Sequence, residues 1–287
     1  MRRCTSTSRG WSTTDLSLCC ALILLQLAAP STQDRSIESH PSAGDLARQV
    51  VHKEVDAQDQ DKSLWKYRQV REEDGNIKVL EIAETKDGEM YRLLAVNGQS
   101  LSGKERQDED RRIEKIVENP SEFQERQKNA RHDAEQERKL LTMLPDAFVY
   151  QYDGTDGGRV KLKFLPNPNF RASDRESEVF HHMEGTMLVD PRQNHLAEID
   201  GRLVTEVKFW GGLLGHLDKG GTFTVKQEDV GGGHWQMVEL NVQMSGRALL
   251  FKTIAVHEKL RNSDFQPLPD RTTIEQASKF LAIQTGD

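Results

Sequence analysis

Alternation is the feature that most constrains this chain. In residues 158–164, GRVKLKF, Val160, Leu162 and Phe164 alternate with Lys161 and Lys163. Successive side chains of an extended chain point to opposite sides, so this spacing makes one apolar face and one charged face. The period returns in 178–190, with Val179, His181, Met183, Met187 and Val189 on one face, and in 201–210, with Leu203, Val207 and Phe209. Residues 221–227, 234–246 and 247–260 continue the run. Asp190-Pro191, Asp200-Gly201, Asp218 to Gly221 and Asp229 to Gly233 separate these stretches, and all are turn chemistry. Strands joined by such short turns pair antiparallel, so a meander of about seven strands is predicted over 147–260.

A smaller strand group precedes it. Residues 63–75, 76–88 and 89–101 are strand-like, with Trp65, Tyr67 and Val79 suited to a pleated surface. Asp87-Gly88 and Asn97-Gly98 are hairpin turns. A short amphipathic helix is predicted near 44–57 from Leu46, Val50, Val51 and Val55.

Between the two groups lies a charged helical insert, 102–144. Ser102 and Glu105 form a capping box, and Pro120 opens a second helix. Phe123, Ala130, Ala134, Leu141 and Leu144 make one thin apolar stripe, which reads as a solvated helix over a sheet or as a lid. The tail 261–287 holds a short helix, 272–282. No glycine-rich loop joins a strand to a helix, so a parallel nucleotide-binding sheet is not expected. The predicted fold is α+β, mainly antiparallel β: one curved sheet or incomplete half β-barrel over 44–260, with helices on its concave face.

Residues 1–31 read as an export signal. Arg2, Arg3 and Arg9 precede the uncharged LSLCCALILLQLAA of 16–29, which is short of the roughly 20 residues a span needs. Cleavage is expected after Ser31, followed by a loose polar segment, 32–43. All three cysteines, Cys4, Cys19 and Cys20, lie in the signal, which excludes disulfide, thiol and Cys-metal chemistry from the mature chain. Cleavage would leave 36 basic and 45 acidic residues, a balance of −9. Nucleic acid is therefore an unsuitable partner, since phosphate neutralisation needs clustered Lys and Arg. No second apolar run is long enough to span a membrane. Periplasmic or secreted localisation follows.

Few residues invite chemistry. His181 and His182, adjacent on a predicted strand, point to opposite faces and do not grip one ion together. His195 sits among Asp190, Glu198 and Asp200 in turn sequence. Asp153 and Asp156 in YDGTDGG supply too few carboxylates for a calcium loop. The glycines of 211–233 flank strands and open no helix, so they cradle no phosphate. No catalytic residue, metal ligand or cofactor is assigned. A hydrolase built on His181 and His195 remains the enzymatic alternative.

The exported helix, the strands reaching YRLLAVNGQSL (91–101), the helical interruption, and the meander with EGTMLVDPRQNHLAEIDGRL (184–203) and RALLFKTI (247–254) together resemble the periplasmic lipoprotein-carrier superfamily. The likeness is to its outer-membrane lipoprotein-sorting type and a branch of secreted bacterial proteins with no assigned role. The resemblance implies a non-enzymatic half-barrel that binds a lipid or acyl chain in an apolar cavity closed by helices. Its partners would be a lipid, an acylated protein or another envelope protein. Trp65, Tyr67, Leu162, Phe164, Met183, Met187, Val207 and Phe209 are the candidate lining. Alternation reports a buried face, whether hollow or filled, so a sensor or interaction module with a packed core is the other reading. The inward arginine of those carriers has no clear counterpart, Arg92 being the candidate.

Overall fold

The computed structural model describes residues 41–174, 176–209, 215–248 and 252–282. The expected signal, its cleavage point and most of the segment after it lie outside these residues. The chain orders as α1 (Ala43–Gln60), β1 (Leu64–Glu73), β2 (Asn76–Thr85), β3 (Gly88–Val96), β4 (Gln99–Ser100), α2 (Gly103–Glu118) and α3 (Ser121–Ala147). Then follow β5 (Phe148–Asp156), β6 (Arg159–Pro166), a 3-10 turn (Ser177–His182), β7 (Met183–Asp190) and β8 (His195–Leu203). The chain continues with β9 (Val207–Phe209), β10 (Gly215–Leu217), β11 (Thr222–Asp229), β12 (Trp235–Ala248), β13 (Lys252–Leu268) and α4 (Ile274–Phe280).

All thirteen strands form one antiparallel sheet, ordered β4-β3-β2-β1-β13-β12-β11-β8-β7-β6-β5, with β10 pairing β12 and β9. The fold class is therefore α+β with a mainly antiparallel open sheet, as the alternation predicted. The two strand groups are joined by β13, which pairs β12 on one side and β1 on the other. It runs past 260, the predicted end of the strand run, and on to Leu268.

Register assigns the faces. Arg71 pairs with Leu260, Leu260 with Leu240, Leu240 with Val225, Val225 with Ile199, Ile199 with Met187, Met187 with Leu162, and Leu162 with Tyr152. Directly paired residues of antiparallel strands share a face, so this row crosses one side of the sheet. On that side α1 buries Leu46, Ala47 and Val50 against Phe148, Leu162, Phe164, Met187 and Leu203. Gly185 and Gly201 lie in this core because rings cross them. A Cβ on Gly185 would stand 1.8 Å from the Asp200 carbonyl, and one on Gly201 would stand 2.1 Å from the Phe223 ring.

The other helices use the opposite side. Ala83 pairs with Met90, and both pack on Ile113 and Ile116 of α2, Phe123 of α3 and Ile274 and Ala277 of α4. The helices thus cover opposite faces at opposite ends, whereas one shared face was expected. Helix α3 spans both settings. Phe123 is buried in the second cluster, and Leu140, Met143 and Leu144 pack on the first. Ala130 and Ala134 between them are exposed, so the predicted continuous stripe is two separate contacts.

Two other expectations change. Residues 177–182 are not strand. The Asp174 carboxylate accepts the Ser177 N–H at 2.9 Å, and the Ser177 hydroxyl accepts the N–H groups of Ser173 and Asp174 at 3.1 and 3.2 Å. These bonds wind the chain tightly before β7. The expected strand 201–210 breaks after Leu203 and resumes at Val207, although Leu203, Val207 and Phe209 do join one core. The capping box of Ser102 and Glu105 forms as predicted.

Candidate ligand-binding cleft

At the start of β1 and the end of β13 the molecule opens into a cleft of about 1130 Å³. Trp65, 4% exposed, lines it with Leu64, Val230, Phe265, Pro267 and Leu268. Asp61, Lys62, Ser63, Thr85, Lys86, His234, Asp270 and Arg271 line it as well.

Local backbone explains the apolar lining. Trp65 and Tyr67 share the face of Ile82 and Leu80, with which they cluster. Phe265 joins them through a bulge. The register of β1 against β13 slips between Lys66 and Arg68, and Asp264 has φ +59. An extra residue on one strand re-aims its neighbours. Phe265 consequently stacks on Tyr67 with ring centres 5.1 Å apart and meets Trp65 edge-on at 6.3 Å. The turn between β11 and β12 brings His234 edge-on to Trp65 at 5.5 Å. That turn is built on Asp229, whose carboxylate accepts the N–H of Gly231 and of Gly233, both at positive φ.

The polar groups form a string. The Trp65 indole N–H donates to the Ser63 hydroxyl at 2.8 Å, and the Ser63 N–H donates to Asp61 at 2.8 Å. The other Asp61 oxygen lies 3.3 Å from His234 Nδ1. Burial alone would raise the Asp61 pKa, but bonds from Ser63 and His234 hold it below the usual value. Glu84 is treated differently. It accepts the Trp65 N–H at 2.8 Å. Desolvation, with repulsion from Glu89 and Asp61, outweighs that bond and pushes its pKa up to about 7.

This string is the wrong order for nucleophilic catalysis. A histidine must stand between serine and carboxylate to take the hydroxyl proton; here the carboxylate stands between serine and histidine. The histidines singled out in the sequence do not converge either. His181 packs on Phe170 at 5.6 Å, and His182 Nδ1 is 2.6 Å from the Thr205 hydroxyl. His195 is buried, with Nδ1 2.8 Å from Glu54 and its ring stacked on Trp235 at 5.0 Å. Asp153 lies 3.7 Å from Lys161, across a hairpin turned by Gly157 and Gly158 at positive φ. Among the described residues, no group of three or more His, Cys, Asp or Glu is placed to hold a metal ion.

The eight candidate lining residues divide. Trp65 lines the cleft and Tyr67 packs beside it. Leu162, Phe164, Met183, Met187 and Val207 are packed in the core under α1, and Phe209 lies against that core. Arg92 faces the other side of the sheet, where its guanidinium bonds Asp110 at 2.6 Å, so it is no inward arginine toward this lining. Phe265, Val230, His234 and Glu84 had no signal in the local pattern. Phe265 reaches the cleft through a bulge and Val230 and His234 through a distant turn, while Glu84, on β2, stands beside it as acceptor of the Trp65 N–H.

No protein-family model matches the chain, and no curated protein matches it. Two solved structures align with it along most of their length. One is a DUF1329 family protein from Desulfovibrio piger, 7% identical, covering 79% of this chain and 93% of that one, with a TM-score of 0.26. The other is MucB in complex with MucA(peri), 11% identical, covering 83% of this chain and 97% of that one, with a TM-score of 0.22. Superpositions this loose carry no argument about this chain.

Proposed function

We propose that the chain is an exported, non-enzymatic protein that binds the acyl chain of a lipid or acylated protein in the cleft lined by Trp65 and Phe265. The observation that carries this reading is the cleft. Its volume of about 1130 Å³ is ample for a small-molecule ligand, and Leu64, Trp65, Val230, Phe265, Pro267 and Leu268 line it together with charged and polar groups. At ~0.8 kcal/mol per methylene, a chain of ~14 carbons would supply on the order of 10 kcal/mol before ordering costs. The carboxylate-centred string Ser63–Asp61–His234 supports binding over catalysis. No helix among the described residues is long and apolar enough to cross a membrane. Export rests on the signal-like sequence of 1–31.

Native mass spectrometry of protein purified gently from the periplasm tests the reading. We expect a mature chain beginning at Thr32 with a co-purifying acyl lipid, and loss of that lipid in Phe265→Asp and Val230→Asp. A chain that stays free of ligand after incubation with phospholipid and with an acylated peptide would sink it.

A further inference from the structure

The turn between β11 and β12 carries part of the cleft wall on a backbone with little stiffness of its own. Its residues are Val230, Gly231, Gly232, Gly233 and His234, and the three glycines have φ of +130°, +67° and +85°. Glycine enters that region freely and samples much else besides. The Val230 N–H donates to the His234 carbonyl at 2.9 Å, and the His234 N–H to the Gly231 carbonyl at 3.2 Å. These bonds shape the turn but do not place it. Yet Val230 packs on the Trp65 cluster, and the His234 ring meets Trp65 edge-on at 5.5 Å.

One side chain from another hairpin grips both stems of this turn. Gln193, between β7 and β8, donates from Nε2 to Asp229 at 2.8 Å and accepts the Trp235 indole N–H on Oε1 at 3.0 Å. Asp229 and Trp235 are paired at the last step of the ladder before the turn. The other Asp229 oxygen accepts the N–H groups of Gly231 and Gly233, which carries the grip into the glycines. The Gln193 bond is also the foremost influence holding the Asp229 carboxyl below its ordinary pKa. Gln193 is itself fixed: its N–H donates to Asp190 at 2.8 Å, and Lys53 of α1 donates to its carbonyl. Asp229 calls for a donor and the indole for an acceptor. A neutral amide supplies both, in one orientation, where a carboxylate would set a second negative charge against Asp229.

We propose that Gln193, which does not itself line the cleft, is a positioning residue for it: the amide sets where Val230 and His234 stand, and through them the affinity for the ligand. The effect on affinity rests on the cleft as the acyl site, whereas the placement of the turn does not. A ligand wall held from outside can be loosened without touching any group that meets the ligand. Binding that depends on a preformed wall weakens when that wall must be ordered at the moment of binding.

The test compares the mature full chain with Gln193→Ala, Gln193→Glu and Arg192→Ala, the last an exposed neighbour in the same turn. Binding of an N-myristoyl tetraglycine peptide is measured by calorimetry. Amide exchange and the His234 ring shifts are measured by NMR without ligand. In Gln193→Ala, exchange at Gly231 and Gly233 should quicken about tenfold, His234 should lose the shift imposed by the Trp65 ring, and the peptide should bind about tenfold more weakly. Arg192→Ala should match wild type in all three. Gln193→Glu adds a readout that lost packing would not move. Its carboxylate repels Asp229 at about pH 8 and offers a donor again once protonated, so its affinity relative to wild type should recover as pH falls toward about 4. Unchanged exchange and ring shifts in Gln193→Ala would overturn the proposal. So would a loosened turn with peptide affinity at the wild-type value, or a Gln193→Glu deficit equal at both pH values. A wild-type chain that binds no peptide, with the turn loosened in Gln193→Ala, would instead sink the acyl reading and leave the placement of the turn by Gln193 standing.

Discussion

Glu54 and Glu84 are both withdrawn from water, and the molecule treats them in opposite ways. Glu54, on α1, accepts the Leu196 N–H and faces His195 Nδ1, both at 2.8 Å, and Gln227 approaches at 3.3 Å. It fastens the end of the helix to β8 and β11. Glu84, beside the cleft, has one bond and two neighbouring carboxylates. A buried acid with several donors is a fastener. One with a single donor and like charges nearby stays responsive to pH and to whatever enters beside it.

The largest expected effect comes from breaking the fastener. Glu54→Ala leaves the Leu196 N–H and His195 buried without their acceptor, and should cost about 3 kcal/mol in urea unfolding followed by tryptophan fluorescence. A loss under about 1 kcal/mol would mean that α1 is held by its apolar face alone.

Glu84→Gln should act in the other direction and depend on pH. The folded pKa near 7 lies above the ordinary 4.5, so as pH rises the unfolded state loses its proton first. Wild-type stability is unpenalised below about pH 4.5 and falls as pH climbs to about 7. Glutamine keeps an acceptor for the Trp65 N–H and removes the charge. It should stabilise by roughly 2 kcal/mol at pH 8 and by nearly nothing at pH 4. An equal effect at both pH values would show that Glu84 is ionised without penalty.

The smallest effect sharpens the comparison further. Asp61→Asn removes one like charge facing Glu84, so the Glu84 titration midpoint should move down in a carbon-detected NMR titration, while wild-type and variant Tm stay close. No movement would place the repulsion on Glu89.

Strands were legible where one face is buried. GRVKLKF became β6 with Leu162 and Phe164 in the core, and Asp87-Gly88 and Asn97-Gly98 turn where read, whereas Asp200-Gly201, read as a turn, lies inside β8, where Gly201 passes under the Phe223 ring. Residues 177–182 were misread because Val179, His181 and Met183 keep period two. The bonds of Ser177 and Asp174 that wind the chain there are specific to that loop and leave no period. The cleft was half legible. Trp65 and Tyr67 announced a pleated apolar surface, but Phe265 depends on a bulge against a strand far away in the chain, and no local pattern records such a register.

That distant pairing has a consequence for how the chain comes together. Leu64 of β1 pairs with Leu268 of β13, about two hundred residues later. Until the last strand arrives, β1 to β3 form a hairpin pair with one flank open, and β5 to β12 form a separate meander. Closing so long a loop is slow, because its entropy is lost before any contact offsets it. The final strand therefore acts as a clasp, and a chain ending at 260 would keep its two halves unjoined over most of β1, however well each had formed.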